Sequence, residues 1–350
     1  MFFARERAFP LPDSHAKGRS MLRFQSPSSP RRDSDAVSVR SSETHDADEQ
    51  AACLLDWGQC YEQMSGGAFD GRFESYTFGG VELFRESINQ VVQQYGQSLA
   101  GSMTLASVVQ AQGEGLFCGA PLRPDHLLFL RGGREFHFRT PQRLDMLAIT
   151  IDMGRFGAYC ERVGEVPPPG ACTDNGLMRK SPAEDLGSVL ASLMGSLRHG
   201  PDMLRHASLR RCLEEGLFSA VLGICAPTEP DGKDLTNCTR QYVVQKARDY
   251  MREHVDEPIT VADLCAHIRV SRRNLQYSFQ NVLGTNPARY LRNMRLNGAR
   301  REIRRQNDER APVADIAARW GFWHPSRFAS EYKSLFGELP SQTLKAATRH

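Results

Sequence analysis

Apolar positions change their period along the chain. From about 51 to 160 short runs alternate apolar and polar residues: RFESYTF at 72–78, then VELFRESI, HLLFL, EFHFRT and MLAITID, with Gly and Pro between them. A period of two puts successive side chains on opposite faces of a strand. Several short strands separated by turn residues predict a compact β-sandwich or barrel. From 183 to 224 the period lengthens, and Leu186, Val189, Leu190, Leu193, Met194 and Leu197 share one helical face. Gly200-Pro201 breaks the run, and a second helix follows through Leu204, Leu213, Leu217 and Val221. This pair fits either packing on the β-domain or a homodimer interface.

Composition places the boundaries. SPSSPRRDSDAVSVRSSETHDADEQ, ahead of residue 51, is rich in Ser, Arg and Asp and poor in large apolar residues. Such a segment cannot bury enough surface alone to offset its ordering entropy, so residues 1–50 are expected to form a disordered tail. APTEPDGKDLTNC (226–238) has the polar, Pro- and Gly-containing texture of a linker. The expected organisation is α+β: tail 1–50, a β-domain with a helix pair at 51–225 for effector sensing or dimerisation, linker 226–239, and an all-α domain at 240–345.

That last domain holds one pattern twice. VADLCAHIRVSRRNLQYSF begins at Val261 and VADIAARWGFWHPSRFASEY begins 52 positions later, at Val313. Leu275 and Phe279 match Phe328 and Tyr332 at a spacing of 53, so the second copy carries one extra residue in its middle. Each copy fits two short helices around a tight turn. In the first, Thr260 and Asp263 have the spacing of a capping box, and Val261, Leu264 and Cys265 face inward. Ile268, Arg269 and Val270 form the turn. Ser271 caps the next helix, which buries Leu275, Phe279 and Leu283 and ends at Gly284. In the second, Pro312 suits a first-turn position, with Val313, Ile316 and Ala317 inward. Trp320, Gly321 and Phe322 make the turn, His324 takes the cap position, and Phe328, Tyr332 and Phe336 are buried before Gly337. An ordinary αα-hairpin would explain one copy. Two copies in register predict a pair of helix-turn-helix units.

Charge sharpens this. The chain carries +3 overall, but from Arg240 onward there are 20 Lys+Arg against 11 Asp+Glu, giving +9 there and −6 elsewhere. A basic third beside an acidic remainder suggests a polyanion partner at one end. A long helix from Pro287 to about Arg305 joins the copies. It carries Leu291, Met294 and Ile303 inward, with Arg292, Arg295, Arg300, Arg301, Arg304 and Arg305 among its other residues. Nineteen residues span about 28 Å, near the roughly 34 Å between successive major grooves on one face of a duplex. One chain can therefore meet two adjacent major-groove segments of double-stranded DNA.

Residues near the start of each second helix, off its apolar stripe, are the candidates for reading bases. In the first copy these are Arg272, Arg273, Gln276 and Tyr277: Arg pairs with guanine and Gln with adenine in the major groove. In the second they are Pro325, Ser326, Ala329 and Ser330, with Arg327 between, a set with less donor capacity. Ser271, Arg289 and Lys333 suit backbone phosphate, which positions the protein without specifying sequence.

Other chemistry is sparse. Nine cysteines are scattered without a CxxC pair, as expected of reduced thiols in a cytoplasmic protein. No apolar run approaches membrane-spanning length, and no Cys/His cluster has metal-ligand spacing. An enzyme reading would use His126 and His137 as metal ligands in a β-barrel; single histidines eleven apart, without an H-x-H cluster, are more often ordinary residues. A DNA-repair methyl-transfer protein would need a four-cysteine zinc set and a Pro-Cys-His-Arg site, and neither motif occurs. A third reading is a DNA-binding protein whose N-terminal domain only dimerises.

With these residues in view, the stretch 240–345 resembles the AraC/XylS family of bacterial transcription regulators. GFWHPSRFASEYKSLFGELP carries its late pattern at Gly321, Phe322, Phe328, Tyr332, Lys333, Phe336, Gly337 and Pro340. His324-Pro325-Ser326 departs from it, because the family often has a polar run there and Pro325 lacks an N–H donor. SRRNLQYSFQNVLGTNPARYLRNMRLNGARREI is further similar to family members that regulate ethanolamine-utilisation operons. The resemblance implies an activator that contacts RNA polymerase and answers a small-molecule effector, with no cofactor required for DNA binding. The narrower similarity implies adenosylcobalamin with ethanolamine as that effector, and carries over no ligand residue.

Overall fold

The computed structural model describes residues 37–165, 175–179, 185–225, 235–255, 257, 259–306 and 312–347. The N-terminal part runs β1 (Ser38–Thr44), α1 (Ala47–Ala52), β2 (Gly58–Gln63), β3 (Gly71–Phe78), β4 (Val81–Ile88), β5 (Val92–Gln97), β6 (Ser102–Gln112), β7 (Leu116–Phe117), β8 (Ala120–Pro121), β9 (His126–Arg131), β10 (Glu135–Arg139), β11 (Arg143–Asp152), α2 (Met153–Val163), β12 (Gly176–Arg179), α3 (Leu186–His199) and α4 (Ala207–Ile224). The C-terminal part is helical: α5 (Leu235–Glu253), α6 (Val261–Ile268), α7 (Arg272–Leu283), α8 (Pro287–Arg305), α9 (Val313–Arg319), α10 (Pro325–Phe336) and α11 (Pro340–Ala347).

Two antiparallel sheets share a core. One has the order β1-β3-β4-β11-β6-β9-β12 and the other β2-β5-β10-β7-β8. Neither closes on itself among the described residues, so the barrel alternative gives way to two open sheets. The larger sheet is covered on both faces. In β11, Leu147, Ile149 and Ile151 point toward the α2, α3 and α4 side, while Leu144, Met146 and Ala148 point toward the smaller sheet. Burial on both faces is why MLAITI reads as a nearly continuous apolar run instead of a clean alternation.

Four expectations are corrected. The end of the expected tail is structured: β1 and α1 lie within 38–52. β1 pairs along the full edge of β3, Arg40 reaches Glu82 at 3.0 Å, and the Asp46 side chain caps α1 by accepting from the Asp48 N–H. Composition measures what a segment can bury alone; here the partners are distant in sequence. The rest of the expected tail, 1–36, lies outside the described residues. The helix pair packs on the larger sheet through Leu190, Met194, Leu197, Leu217 and Val221, which settles its inward face; Val189 falls outside it, at 43% exposure. α5 begins at Leu235, inside the expected linker, whose residues 226–234 lie outside the described ones. Pro312 is the N-cap of α9 rather than a first-turn residue.

α8 is the spine of the helical part. Tyr290, Leu291 and Met294 join the core of the first helix-turn-helix unit, and Leu296, Ala299 and Ile303 join that of the second. Gly298 lets the Trp320 indole lie against the helix, since a Cβ there would fall 2.1 Å from the ring.

A third face of α8 meets the N-terminal part. Asn297 accepts from the Gln63 N–H and donates to the Gln63 carbonyl, both at 3.1 Å. Arg300 is buried and pairs with Asp46 and, at 2.7 Å, with Glu338. Arg301 reaches Asp48 at 2.8 Å, and Arg304 reaches Asp46 at 3.1 Å and also Glu49. Burial alone would raise the Asp46 pKa; Arg300 and Arg304 outweigh it and hold the carboxyl below its ordinary value. Gln63 also donates to the Leu335 carbonyl at 2.6 Å, at the end of α10. The first unit is held through α5, where Arg248 lies 2.5 Å from His137 Nδ1 and donates to the Tyr290 hydroxyl at 3.0 Å.

Candidate nucleic-acid interface

The first unit is α6, a three-residue turn and α7. Thr260 and Asp263 form the expected capping box. Arg269 turns the chain in the left-handed region at φ 60°. The Ser271 hydroxyl accepts the Asn274 N–H at 3.2 Å, which fixes where α7 starts. The cap therefore gives Ser271 a structural role beside the phosphate contact expected of it. Leu275 and Phe279 are fully buried, and helical periodicity then turns Arg272, Arg273 and Gln276 outward, where all three are exposed. No hydrogen bond or ion pair engages these three side chains among the described residues, so their donors are free for a ligand. Tyr277 is exposed at 54%, but its ring lies under Arg240, whose guanidinium carbon is 4.8 Å from the centroid. Arg289, in the first turn of α8, is exposed. Its charge is felt by Arg139, whose pKa is lowered mainly by burial.

The second unit repeats the plan with a different surface. α10 buries Phe328, Tyr332, Leu335 and Phe336 and leaves Ser326, Arg327, Ser330 and Lys333 exposed. His324 occupies the cap position without a side-chain cap bond, and Pro325 takes the first helical position. Arg327 donates to Glu331 at 2.9 Å, and Glu331 also receives Arg292 of α8. The arginine nearest the start of α10 is thus partly neutralised by a half-buried carboxylate that it shares with α8. Each unit keeps its own expected residues on its second helix; Arg289 stands apart on α8.

Three of the arginines counted on the basic side of the sequence are engaged by the N-terminal part: Arg300, Arg301 and Arg304 meet Asp46, Asp48 and Glu49. Sequence reasoning could not pair them, because the acidic residues lie about 250 positions away in a segment read as a tail.

The histidines of the enzyme reading are apart and occupied. His126 pairs with Asp125 at 2.9 Å. His137 is buried beside Arg248; burial first, then Arg248 and Arg252, push its pKa well below the ordinary value, so the ring is neutral. Among the described residues no group of three or more His, Cys, Asp or Glu could hold a metal, and no helix is long and apolar enough to cross a membrane.

Residues 264–346 match a helix-turn-helix domain family. Over 103 residues the chain is 45% identical to the probable thc operon regulatory protein of Rhodococcus erythropolis, covering 29% of this chain and 31% of that one. Over 101 residues it is 34% identical to the XylDLEGF operon transcriptional activator 1 of Pseudomonas putida, covering 29% and 30%. The match thus spans about a third of the length of these relatives. A transcriptional regulator of AraC type from Chromobacterium violaceum is 27% identical over 32% of this chain and 97% of its own, with a TM-score of 0.29.

Proposed function

We propose that this chain is a transcription regulator of the AraC/XylS type that binds double-stranded DNA sequence-specifically across two adjacent major-groove segments and activates transcription. The observation that carries the reading is the uncommitted set Arg272, Arg273 and Gln276 at the exposed start of α7, on a spine that also bears a second unit. The relatives matched over the same segment are named as operon regulators, and this supports the activator reading. The test is selection of duplexes from a random library by the full chain. The wild type recovers a common sequence, and the R272A/R273A/Q276A variant does not. Recovery of the same sequence at the same affinity by the variant would remove α7 as the reader.

In this reading the N-terminal sheets take a small-molecule effector, RNA polymerase is the protein partner, and the chain acts in the cytoplasm, with homodimerisation through the N-terminal part. The effector expected from the resemblance is adenosylcobalamin with ethanolamine. Melting the full chain with both tests this directly. A ligand at 100 times its Kd stabilises by about 2.7 kcal/mol, a rise of several degrees at roughly 2–4 °C per kcal/mol. No rise would remove these effectors and leave the DNA reading intact.

A further inference from the structure

The two units differ in length by one residue, and the backbone identifies it. Ahead of the difference, equivalent positions lie 52 apart: Arg269 and Gly321 are both left-handed, at φ 60° and 77°, and Val270 and Phe322 donate their N–H groups to the Cys265 and Ala317 carbonyls. After it they lie 53 apart: Leu275 and Phe328 donate to Ser271 and His324 at the two N-caps. Trp323 stands between Phe322 and His324 with no counterpart between Val270 and Ser271. The extra residue is therefore Trp323, and at 69% it is the most exposed of the large apolar side chains among the described residues.

A single exposed apolar residue is ordinary on a protein surface. Two further observations set this one apart. It precedes the N-cap of the second helix of a helix-turn-helix, the end that approaches DNA in such units. It also belongs to the unit whose helix starts with Pro325, where the first unit has Arg272, and whose Arg327 is paired to Glu331. An indole offers a large apolar face and one N–H donor.

We propose that Trp323 is a DNA-contacting residue: its indole packs on the apolar part of the groove wall, a deoxyribose or a thymine methyl, and supplies binding that α10 lacks in hydrogen-bond donors. The inference rests on the DNA-binding reading above.

The full chain and a duplex selected by it provide the test. The chain has three tryptophans; Trp57 and Trp320 are half-buried, and Trp320 donates its indole N–H to Glu302. Indole emission changes when duplex is added to the wild type, and W323F loses that change. W323A binds about tenfold more weakly, from the apolar area removed, with an unchanged urea midpoint because the side chain is exposed. Replacing thymines by uracil one at a time separates the two contacts. A uracil that weakens wild type but not W323A assigns the methyl group; weakening by W323A across all duplexes, with no uracil effect, assigns the sugar. Unchanged affinity in W323A, or an emission change retained in W323F, overturns the proposal. If R272A/R273A/Q276A still loses binding in that case, the DNA reading stands without it. A wild-type chain that selects no duplex overturns both.

Discussion

Leu264, Leu275 and Phe279 in the first helix-turn-helix unit, and Ile316, Phe328 and Tyr332 in the second, are all buried to 2% exposure or less. Around these equivalent cores the surfaces part company. The first unit caps both helices with side chains and exposes two arginines and a glutamine. The second has no side-chain cap on either helix, pairs its arginine to a carboxylate, and inserts a tryptophan. Close packing constrains the inward positions of a repeat, while its outward positions can diverge at little cost to the fold. The units are also held differently: the second through Arg300, which bonds Asp46, Glu338, Tyr332 and Thr343, the first through Arg248 and His137.

The largest effect that would break this contrast is at Asp46. Removing one partner of a buried pair costs about 3–5 kcal/mol, so Asp46→Ala should lower the melting temperature markedly. Hydrogen exchange should then show greater loss of protection in α9–α11 than in α6–α7. Equal loss in both units would mean that Arg300 does not anchor the second one specifically. Acid should do the same gradually. The Asp46 pKa is lowered in the folded chain, so its stabilisation is complete above the unfolded carboxylate value of about 3.9. It disappears as pH falls through the lower folded value, which a series of urea midpoints would reveal.

DNA binding sharpens the contrast next. R272A/R273A/Q276A should weaken sequence-specific binding by about a hundredfold or more, at ~1–3 kcal/mol per well-made base contact. S326A/R327A/S330A should cost less than about tenfold. Fluorescence anisotropy on one duplex measures both, and a reversed order would make the second unit the principal reader. The caps give a smaller difference: Ser271→Ala should cost about 1 kcal/mol, and His324→Ala less than about 0.5 kcal/mol, by urea unfolding. Smallest is Glu331→Gln, which frees Arg327 and removes a negative charge. Affinity for random duplex should rise about two- to threefold, with a steeper salt dependence.

Much of the helical part was legible because its signals are local. The offset between copies, the Thr260/Asp263 spacing and the glycines after each second helix all act within a few residues. The strands named from alternation are present in β3, β4, β9, β10 and β11. β2, β5 and β6 are less legible: buried polar side chains, Glu62 in β2, Gln93 and Gln94 in β5, and Ser102, Thr104 and Ser107 in β6, blur the apolar signal. β1 and α1 were hidden for the reason that also hid the fate of Arg300, Arg301 and Arg304: their partners are far along the chain. For Trp323 the shift from an offset of 52 to 53 shows that one residue is extra, and only the paired left-handed turns and carbonyl bonds locate it.

The guanidinium of Arg300 lies under the rings of Tyr332 and Phe336, 5.9 and 4.6 Å from their centroids, while one of its carboxylates comes from the opposite end of the polypeptide. The wall of the second unit is therefore borrowed. A fragment cut at the start of α5 would keep its periodicity, its turns and the second helix of each unit, yet leave a buried cation without Asp46. Sequence boundaries and mechanical boundaries do not coincide in this molecule: it divides cleanly as text and not as an object.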